Sequence, residues 1–158
     1  LSDRVRLQWA DCLELDCCAQ YDAIYSRDVF LHIADKARLF ERLYAAMRPG
    51  GRLLFTDYCC GAKPWSEEFD EYVQDRGYSL CTTDEYARYI ANAGFETICA
   101  QDETERFINL LQAEEARIEL LPMPETARHK MKLNWQKKVQ RARAGDQRWG
   151  LFSALKAV

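Results

Sequence analysis

The strongest constraint on the fold is the alternation of short apolar segments with longer amphipathic ones. Residues 5–9 alternate apolar and polar side chains, and residues 21–26 and 52–57 are short apolar runs of the kind that form strands. Apolar residues recur at helical spacing in five longer segments, which predicts helices at 35–47, 66–76, 83–93, 103–120 and 125–144. Two further apolar runs predict strands at 95–100 and 149–157. This order predicts an α/β fold with a largely parallel sheet and helices on its faces.

Cap and turn residues mark where the predicted helices begin and end. Asp35 and Ser66 suit the N-cap, because their side-chain oxygens can accept hydrogen bonds from the free N–H groups of the first turn. The run Pro49-Gly50-Gly51 ends the first helix, and Gly94 ends the third. No linker divides the chain, so we interpret it as one domain.

Composition excludes several classes of protein. With 158 residues, of which 48% are hydrophobic, the chain can bury one core. No run approaches about 18 uncharged apolar residues, so we expect no membrane span. The net charge of −3 argues against a nucleic-acid partner.

The 7 cysteines favour a reducing, cytoplasmic compartment. Their number is odd, two pairs are adjacent in sequence, and no secretory leader is recognisable. Neither a CxxC nor an HxxxH spacing occurs, so we expect no metal site. The simplest interpretation is that the cysteines are small buried apolar residues.

Polar side chains follow three of the predicted strands. In α/β sheets the ligand site lies beyond the carboxyl ends of the strands. That rule selects three tips as the candidate site, namely Asp11-Cys12, Ser26-Arg27-Asp28 and Asp57-Tyr58.

Several segments carry a family resemblance. Residues 44–55 (YAAMRPGGRLLF) resemble the helix–RPGG–strand segment of class I S-adenosylmethionine-dependent methyltransferases. A more specific set resembles the phosphoethanolamine N-methyltransferases, which methylate phosphoethanolamine three times to phosphocholine. Its members are residues 25–33 (YSRDVFLHI), 56–59 (TDYC), 71–72 (EY), 74–78 (QDRGY), 135–138 (WQKK) and 147–150 (QRWG).

The resemblance implies a role for each matching residue. S-adenosylmethionine is the implied cofactor, with Asp11 and Cys12 beside its adenosine and Ser26 and Arg27 near its methionine portion. Asp28 and His32 are the implied catalytic residues at the substrate amine. The substrate phosphate is then surrounded by Tyr58, Tyr72, Arg76, Tyr78 and Lys138.

The amine chemistry agrees with these types of residue. Methyl transfer to nitrogen needs a neutral amine, so a base must accept the ammonium proton, and histidine titrates near neutral pH. If a helix follows Ser26, Asp28 and His32 stand at i and i+4 on one face, where both can meet one ammonium. The alternative is that His32 is a half-buried helix residue among apolar neighbours.

The phosphate chemistry agrees as well. Arg76 can offer a planar fork, Lys138 a point charge and tyrosines neutral donors to a phosphomonoester. Tyr72 and Arg76 share a helix face, and Gly77 can turn Tyr78 back toward them. The aromatic rings also suit methylated ammonium groups. Taken singly, each tyrosine is better explained as a surface or core packing residue with its hydroxyl in water.

Two features of the implied family are missing from the sequence. No G-x-G cofactor loop occurs, and no residue matches the catalytic tyrosine of the family's N-terminal lid. By resemblance, residues 5–9, 21–26 and 52–57 are strands 3, 4 and 5 of a sheet ordered 3-2-1-4-5-7-6. We therefore expect residues 1–158, which begin with Leu1, to be a C-terminal portion lacking strands 1 and 2, with an open sheet edge and weak cofactor binding. Its substrate-binding helices lie at about 60–94 and 103–145.

Three functions follow from these observations. The first is N-methylation of phosphoethanolamine or its mono- and dimethyl forms, with a small phosphobase as the substrate. The second is a non-catalytic half domain that pairs with another chain, such as the missing N-terminal part of the same enzyme. The third is methylation of a different small molecule. The basic stretch at 128–143 faces an acidic one at 103–119, which predicts two oppositely charged, solvated helices rather than a nucleic-acid surface.

Overall fold

The computed structural model describes residues 4–158. Within that range the chain forms the strands β1 Tyr21–Arg27, β2 Met47–Cys60, β3 Glu96–Asp102 and β4 Gln147–Leu155. The helices are α1 Lys36–Ala46, α2 Glu67–Arg76, α3 Thr83–Asn92, α4 Thr104–Ile118 and α5 Glu125–Ala144. Each element corresponds to one predicted from the sequence, and β2 is longer than expected at both ends.

The four strands form one sheet in the order β1-β2-β4-β3. β1, β2 and β3 run in the same direction, and β4, which inserts between β2 and β3, runs antiparallel to both. The prediction of a largely parallel sheet therefore holds for three of the four strands, and β4 is the exception. The last strand follows α5 directly through a short turn, so the chain returns along the sheet in the opposite direction.

Residues 5–9 were predicted to be a strand, and this is wrong as well. They have no regular secondary structure, and the side chains of Leu7 and Trp9 are fully exposed. An alternating pattern forms a strand only where a neighbour satisfies its backbone hydrogen bonds, and β1 is already the edge of the described sheet. The expected open edge is thus present at β1.

The helix boundaries follow their local signals. The Asp35 side chain accepts a hydrogen bond from the backbone N–H of Arg38 at 3.0 Å, and Ser66 accepts one from that of Phe69. Helix α3 begins at Thr83, as expected, and the residue before it, Thr82, is the N-cap and forms a reciprocal capping box with Glu85.

One face of the sheet carries the main core. Phe55 of β2 stacks on Phe152 of β4 with ring centroids 4.5 Å apart, and helices α1 and α3 cover them with Phe40, Leu43, Tyr86 and Ile90. Because side chains alternate along β2, Thr56 and Tyr58 point to the opposite face. That face is covered at one end by α4 and α5, through a second cluster that includes Phe107, Val139 and Trp149.

Helices α4 and α5 pair through opposite charges, as predicted. Lys132 and Arg128 of α5 both face Glu119, which directly follows α4, and the Gln136 amide donates to Glu115 at 2.6 Å. None of the cysteines in residues 4–158 forms a disulfide, and three are buried, namely Cys59, Cys60 and Cys81. No helix in the described range is long and apolar enough to cross a membrane.

Candidate functional site

Two clefts adjoin at the end of the sheet that α4 and α5 cover. The first has a volume of about 500 Å³ and lies between α2 and α5; it is lined by Tyr72, Arg76, Tyr78, Arg141 and their neighbours. The second, of about 460 Å³, lies over the sheet and is lined by Arg27, Asp28, Thr56, Tyr58, Phe107 and Trp149, among others. Trp135 and Lys138 line both clefts, so the two form one continuous site.

The α2 side of the first cleft is built by a helix and its C-cap. Tyr72 and Arg76 lie one turn apart on α2, and the Arg76 guanidinium is 5.8 Å from the Tyr72 ring centroid. Gly77 adopts a left-handed conformation at φ +62, so the Tyr78 N–H donates back to Val73 at 3.0 Å. The rings of Tyr72 and Tyr78 meet edge to face at 5.7 Å, as the sequence predicted for a residue beyond Gly77.

Lys138 connects the two clefts. Its Nζ donates to the Tyr58 hydroxyl at 2.8 Å, which joins α5 to β2. Burial lowers the pKa of Lys138 from its ordinary value, and it raises the pKa of Tyr58 to about 12. At neutral pH the site therefore presents a partly desolvated ammonium and a neutral phenol, which together suit an anionic ligand.

Arg141 is a site residue that the sequence interpretation did not select. Its guanidinium lies 3.7 Å from the Tyr72 ring centroid and donates to Gln147 and Glu68 at 3.2 Å each. The signal that points to it is its position three residues after Lys138, which places both on one face of α5. Arg141 thus holds Tyr72 in the wall of the first cleft.

No α-helix follows Ser26, so the condition under which Asp28 and His32 would stand at i and i+4 on one helix face is not met. Asp28 instead has a left-handed backbone at φ +52, and residues Phe30–His32 form a single 3₁₀ turn. A chain that leaves β1 must bend sharply here, and the Asp28 N–H is held by the Thr56 carbonyl at 2.8 Å. His32 packs edge to face against Tyr78 with ring centroids 5.1 Å apart.

The predicted cofactor residues lie beside the second cleft or beyond it. Arg27 lines that cleft, and its largely exposed side chain stands 3.9 Å from Asp28 Oδ2. Ser26 is half-buried at the end of β1. Asp11 caps a 3₁₀ turn at residues Cys12–Glu14, and its Oδ1 accepts from the Leu13 N–H at 2.9 Å. Neither Asp11 nor Cys12 lines the two clefts, and burial raises the pKa of the Cys12 thiol.

Asp57 does not join the site, although it follows an apolar run. Its side chain points to the opposite face of the sheet, where it is fully buried and accepts a short hydrogen bond from Tyr86. Tyr58, the next residue along β2, points into the second cleft. The strand-tip rule therefore identified the right end of the sheet but not which neighbour faces the site.

Comparisons with known proteins agree with this architecture. The protein family described as "Methyltransferase domain" matches residues 4–100. A phosphoethanolamine N-methyltransferase from Triticum aestivum is 40% identical over 142 residues, which cover 86% of this chain and 28% of that protein. One from Plasmodium falciparum is 36% identical over 145 residues, covering 86% of this chain and 54% of that protein.

Solved structures give the same result for the fold. Phosphoethanolamine N-methyltransferase 2 of Haemonchus contortus, solved with phosphomonomethylethanolamine and S-adenosylhomocysteine, superposes with a TM-score of 0.87 at 32% identity. That match covers 94% of this chain and 36% of the nematode chain. The chain thus spans between 28% and 54% of the length of these relatives.

The matched sheet and the family match define a class I methyltransferase fold. The chain belongs to the methyltransferase domain family. Within that family its relatives are phosphoethanolamine N-methyltransferases, which confirms the resemblance found in the sequence.

Proposed function

We propose that this chain supplies the substrate-binding portion of a phosphoethanolamine N-methyltransferase. The observation that carries this proposal is the continuity of the two clefts at Lys138. Arg76, Lys138 and tyrosine hydroxyls line one side, and the Asp28 carboxylate lies on the other. A phosphobase has a phosphate at one end and an ammonium at the other, so its charges complement the two clefts.

The phosphate is bound in the first cleft. Arg76 donates a planar pair of N–H groups, Lys138 adds a positive charge, and Tyr72 and Tyr78 donate from their hydroxyls. Tyr58, which lines the second cleft, adds its hydroxyl from the junction at Lys138. Burial raises the pKa of Tyr72 to about 12, so it stays protonated and able to donate at neutral pH. Each charge-assisted hydrogen bond contributes roughly 1.5–3 kcal/mol.

The amine is bound in the second cleft. Asp28 orients it and offsets the positive charge that grows on nitrogen as the bond to the methyl group forms. His32 accepts the amine proton, directly or through water. The contact of His32 with Tyr78, which lines the first cleft, supports a position of the proposed base near the substrate.

The methyl group comes from S-adenosylmethionine, which supplies it as a sulfonium. Arg27 can pair with the methionine carboxylate because its side chain is exposed beside the second cleft, and Ser26 can add a hydroxyl. Asp11 uses one carboxylate oxygen to accept from the Leu13 N–H, which leaves the other for the adenosine amine, and Cys12 follows it at the start of the 3₁₀ turn. Holding the amine in line with the methyl group is the main contribution expected from these residues.

Calorimetric titration of the chain with phosphoethanolamine, phosphocholine and S-adenosylhomocysteine tests the proposal. Both phosphobases should bind, and Arg76→Ala should weaken both by roughly 10-fold or more, since it removes a charged phosphate contact. Binding of S-adenosylhomocysteine should be weak, because residues 1–158 contain no G-x-G loop. Equal affinity for choline and phosphocholine would contradict the phosphate assignment.

The role of His32 needs a kinetic test. His32→Ala should lower the rate of methyl transfer far more than the affinity for phosphoethanolamine, because a base acts on the reacting proton rather than on ground-state binding. Equal losses in rate and affinity would assign His32 to packing against Tyr78.

A second candidate function rests on the open edge of the sheet. β1 is an edge strand, and Tyr25 and Leu54 on the face beside it are 66% and 43% exposed. We propose that a partner segment, of the kind that supplies strands 1 and 2 in the implied family, pairs with this edge. Size-exclusion chromatography with and without such a segment distinguishes a stable complex from an independent domain. The unpaired thiols support a reducing compartment such as the cytoplasm for either function.

A further inference from the structure

We propose that Trp149 and Thr56 are positioning residues that fix one oxygen of Asp28, so that its other oxygen is directed to the substrate amine. This inference rests on the amine-binding role proposed for Asp28. The sequence alone assigns no role in the site to either Trp149 or Thr56.

Both donors meet the same carboxylate oxygen. The indole Nε1 of Trp149 donates to Asp28 Oδ1 at 2.9 Å, and the Thr56 hydroxyl donates to that same atom at 3.1 Å. Two donors from different strands define the plane of the carboxylate, whereas one would leave it free to rotate. Thr56 also accepts the Asp28 N–H through its backbone carbonyl at 2.8 Å, so it holds both ends of the residue.

Trp149 is itself held rigidly. It is paired with Tyr58 across β2 and β4, and its own backbone N–H donates to the Thr104 hydroxyl at 3.1 Å. Its ring stacks on Phe107 of α4 with centroids 5.7 Å apart and an angle of 20° between the planes. The indole N–H therefore has a fixed direction, which a positioning residue requires.

The second oxygen of Asp28 remains available. Its nearest cation is Arg27, whose Nε lies 3.9 Å from Oδ2 and whose side chain is 74% exposed. An ion pair at that distance and exposure contributes little and is easily exchanged for another cation. Asp28 lines the second cleft together with Lys138 and Tyr58, where the amine of a phosphobase held by its phosphate would arrive, and Oδ2 is the oxygen that no hydrogen bond from residues 4–158 occupies.

The backbone of Asp28 supports the same conclusion. A non-glycine residue at φ +52 persists only where its surroundings hold it, and such residues cluster at functional sites. The contacts that hold Asp28 are those of Thr56 and Trp149. They place a strained residue with one committed oxygen and one free oxygen at the edge of the cleft.

Two ligands separate this role from simple packing. Phosphoethanolamine carries both charged ends, and ethyl phosphate carries the phosphate alone, so the ratio of their affinities for the chain measures the amine contact. Trp149→Phe keeps the ring and removes the N–H, and Thr56→Val keeps the shape and removes the hydroxyl. Each should reduce the affinity ratio roughly 5- to 10-fold while ethyl phosphate binds as before. Thr56→Ser should restore the ratio.

Trp65→Phe is the matched control, because Trp65 also donates from its indole N–H, to the Gly61 carbonyl at 2.9 Å, outside both clefts. An unchanged ratio in both Trp149→Phe and Thr56→Val overturns the inference, as does an equal loss for both ligands. If the unmodified chain binds both ligands equally, the amine role of Asp28 fails, and the inference fails with it. If it binds neither, the proposed function itself is contradicted.

Discussion

The Lys138 ammonium and the Tyr58 hydroxyl form a 2.8 Å hydrogen bond that ties helix α5 to strand β2 at the junction of the two clefts. The two residues are 80 positions apart in sequence. The Lys138 ammonium also lies 5.1 Å from the centroid of the Tyr58 ring. A partly buried cation held this way attracts an anion strongly, because less water competes for it.

Replacing Lys138 by methionine should therefore weaken phosphoethanolamine binding by roughly 10- to 100-fold, the usual effect of losing a charge-assisted contact. Methionine keeps most of the stem and removes the charge. Calorimetric titration measures the change, and Lys130→Met is the control, since Lys130 is exposed on the same helix. Similar losses in the two variants would mean that general charge, and not the Tyr58-bound ammonium, attracts the ligand.

The pH dependence of phosphate binding should also report Lys138. Burial lowers its pKa from the ordinary value of 10.5, so the ammonium loses its proton at a lower pH than an exposed lysine does. As pH rises, phosphoethanolamine affinity should decline at a lower pH than the one at which exposed lysines titrate. Lys138→Arg keeps its charge throughout and should shift that decline to higher pH. If the unmodified protein and Lys138→Arg show the same dependence of affinity on pH, Lys138 is not the titrating group.

Replacing Arg141 even by lysine should destabilise the protein. Its guanidinium stacks on Tyr72 at 3.7 Å and reaches both Gln147 and Glu68, and lysine has neither the plane nor the fork to do so. Arg141→Lys should lower the free energy of unfolding by roughly 2 kcal/mol and loosen Tyr72 in the phosphate cleft. Urea unfolding measures this, with Arg143→Lys on the exposed side of α5 as the control. Equal stability of the two variants would contradict it.

Local sequence predicted the parts of this molecule that local contacts determine. The Asp35 and Ser66 caps and the Tyr72–Arg76 spacing depend only on neighbours within one helical turn. The contact of Trp149 with Asp28 joins residues 121 positions apart, and it follows from the pairing of Trp149 with Tyr58 across two strands. The pairing register between β2 and β4 depends on residues far apart in the chain, so a local sequence pattern does not predict it.

Two stretches of the sequence differ from the local structure that their patterns suggest. The alternation in residues 5–9 predicts a strand, but a strand needs a partner, and none of residues 4–158 pairs with it. No α-helix follows Ser26, because Asp28 has a left-handed backbone and its N–H donates to the Thr56 carbonyl. In both cases the local structure depends on hydrogen bonds to distant parts of the chain, which within the described residues are missing in the first case and present in the second.

The conformation of Gly77 should have a measurable cost when it is replaced. Its φ of +62 is unfavourable for L-residues with a side chain, and an added Cβ would meet no heavy atom within 4 Å. Gly77→Ala should therefore lower the free energy of unfolding by about 1 kcal/mol through backbone strain alone. Asparagine tolerates this region better, so Gly77→Asn should lose less. Equal stability of all three proteins in urea would show that the turn toward Tyr78 relaxes freely.

Asp57 should give the protein a stability that depends on pH. Burial raises its pKa from 3.8 to about 7, outweighing the Tyr86 hydrogen bond and the Lys36 charge, which both act to lower it. Between pH 3.8 and about 7, the folded chain keeps the Asp57 proton that the unfolded chain releases. The stabilisation that Asp57 gives to the folded state is therefore complete below about pH 4 and is lost as pH rises through 7.

Asp57→Asn removes this titration while leaving an oxygen that can accept the Tyr86 hydroxyl. Between pH 4 and 7 the unmodified protein should lose up to roughly 4 kcal/mol of unfolding free energy relative to Asp57→Asn. Urea unfolding at a series of pH values measures the difference, and Asp16→Asn at an exposed position should run parallel to the unmodified protein. If Asp57→Asn also runs parallel, the buried carboxyl titrates at its ordinary value. Its proton would then be absent at neutral pH, and a charged Asp57 would have to be balanced by Lys36, the nearby cation that donates to the carbonyls of Ile33 and Ser79.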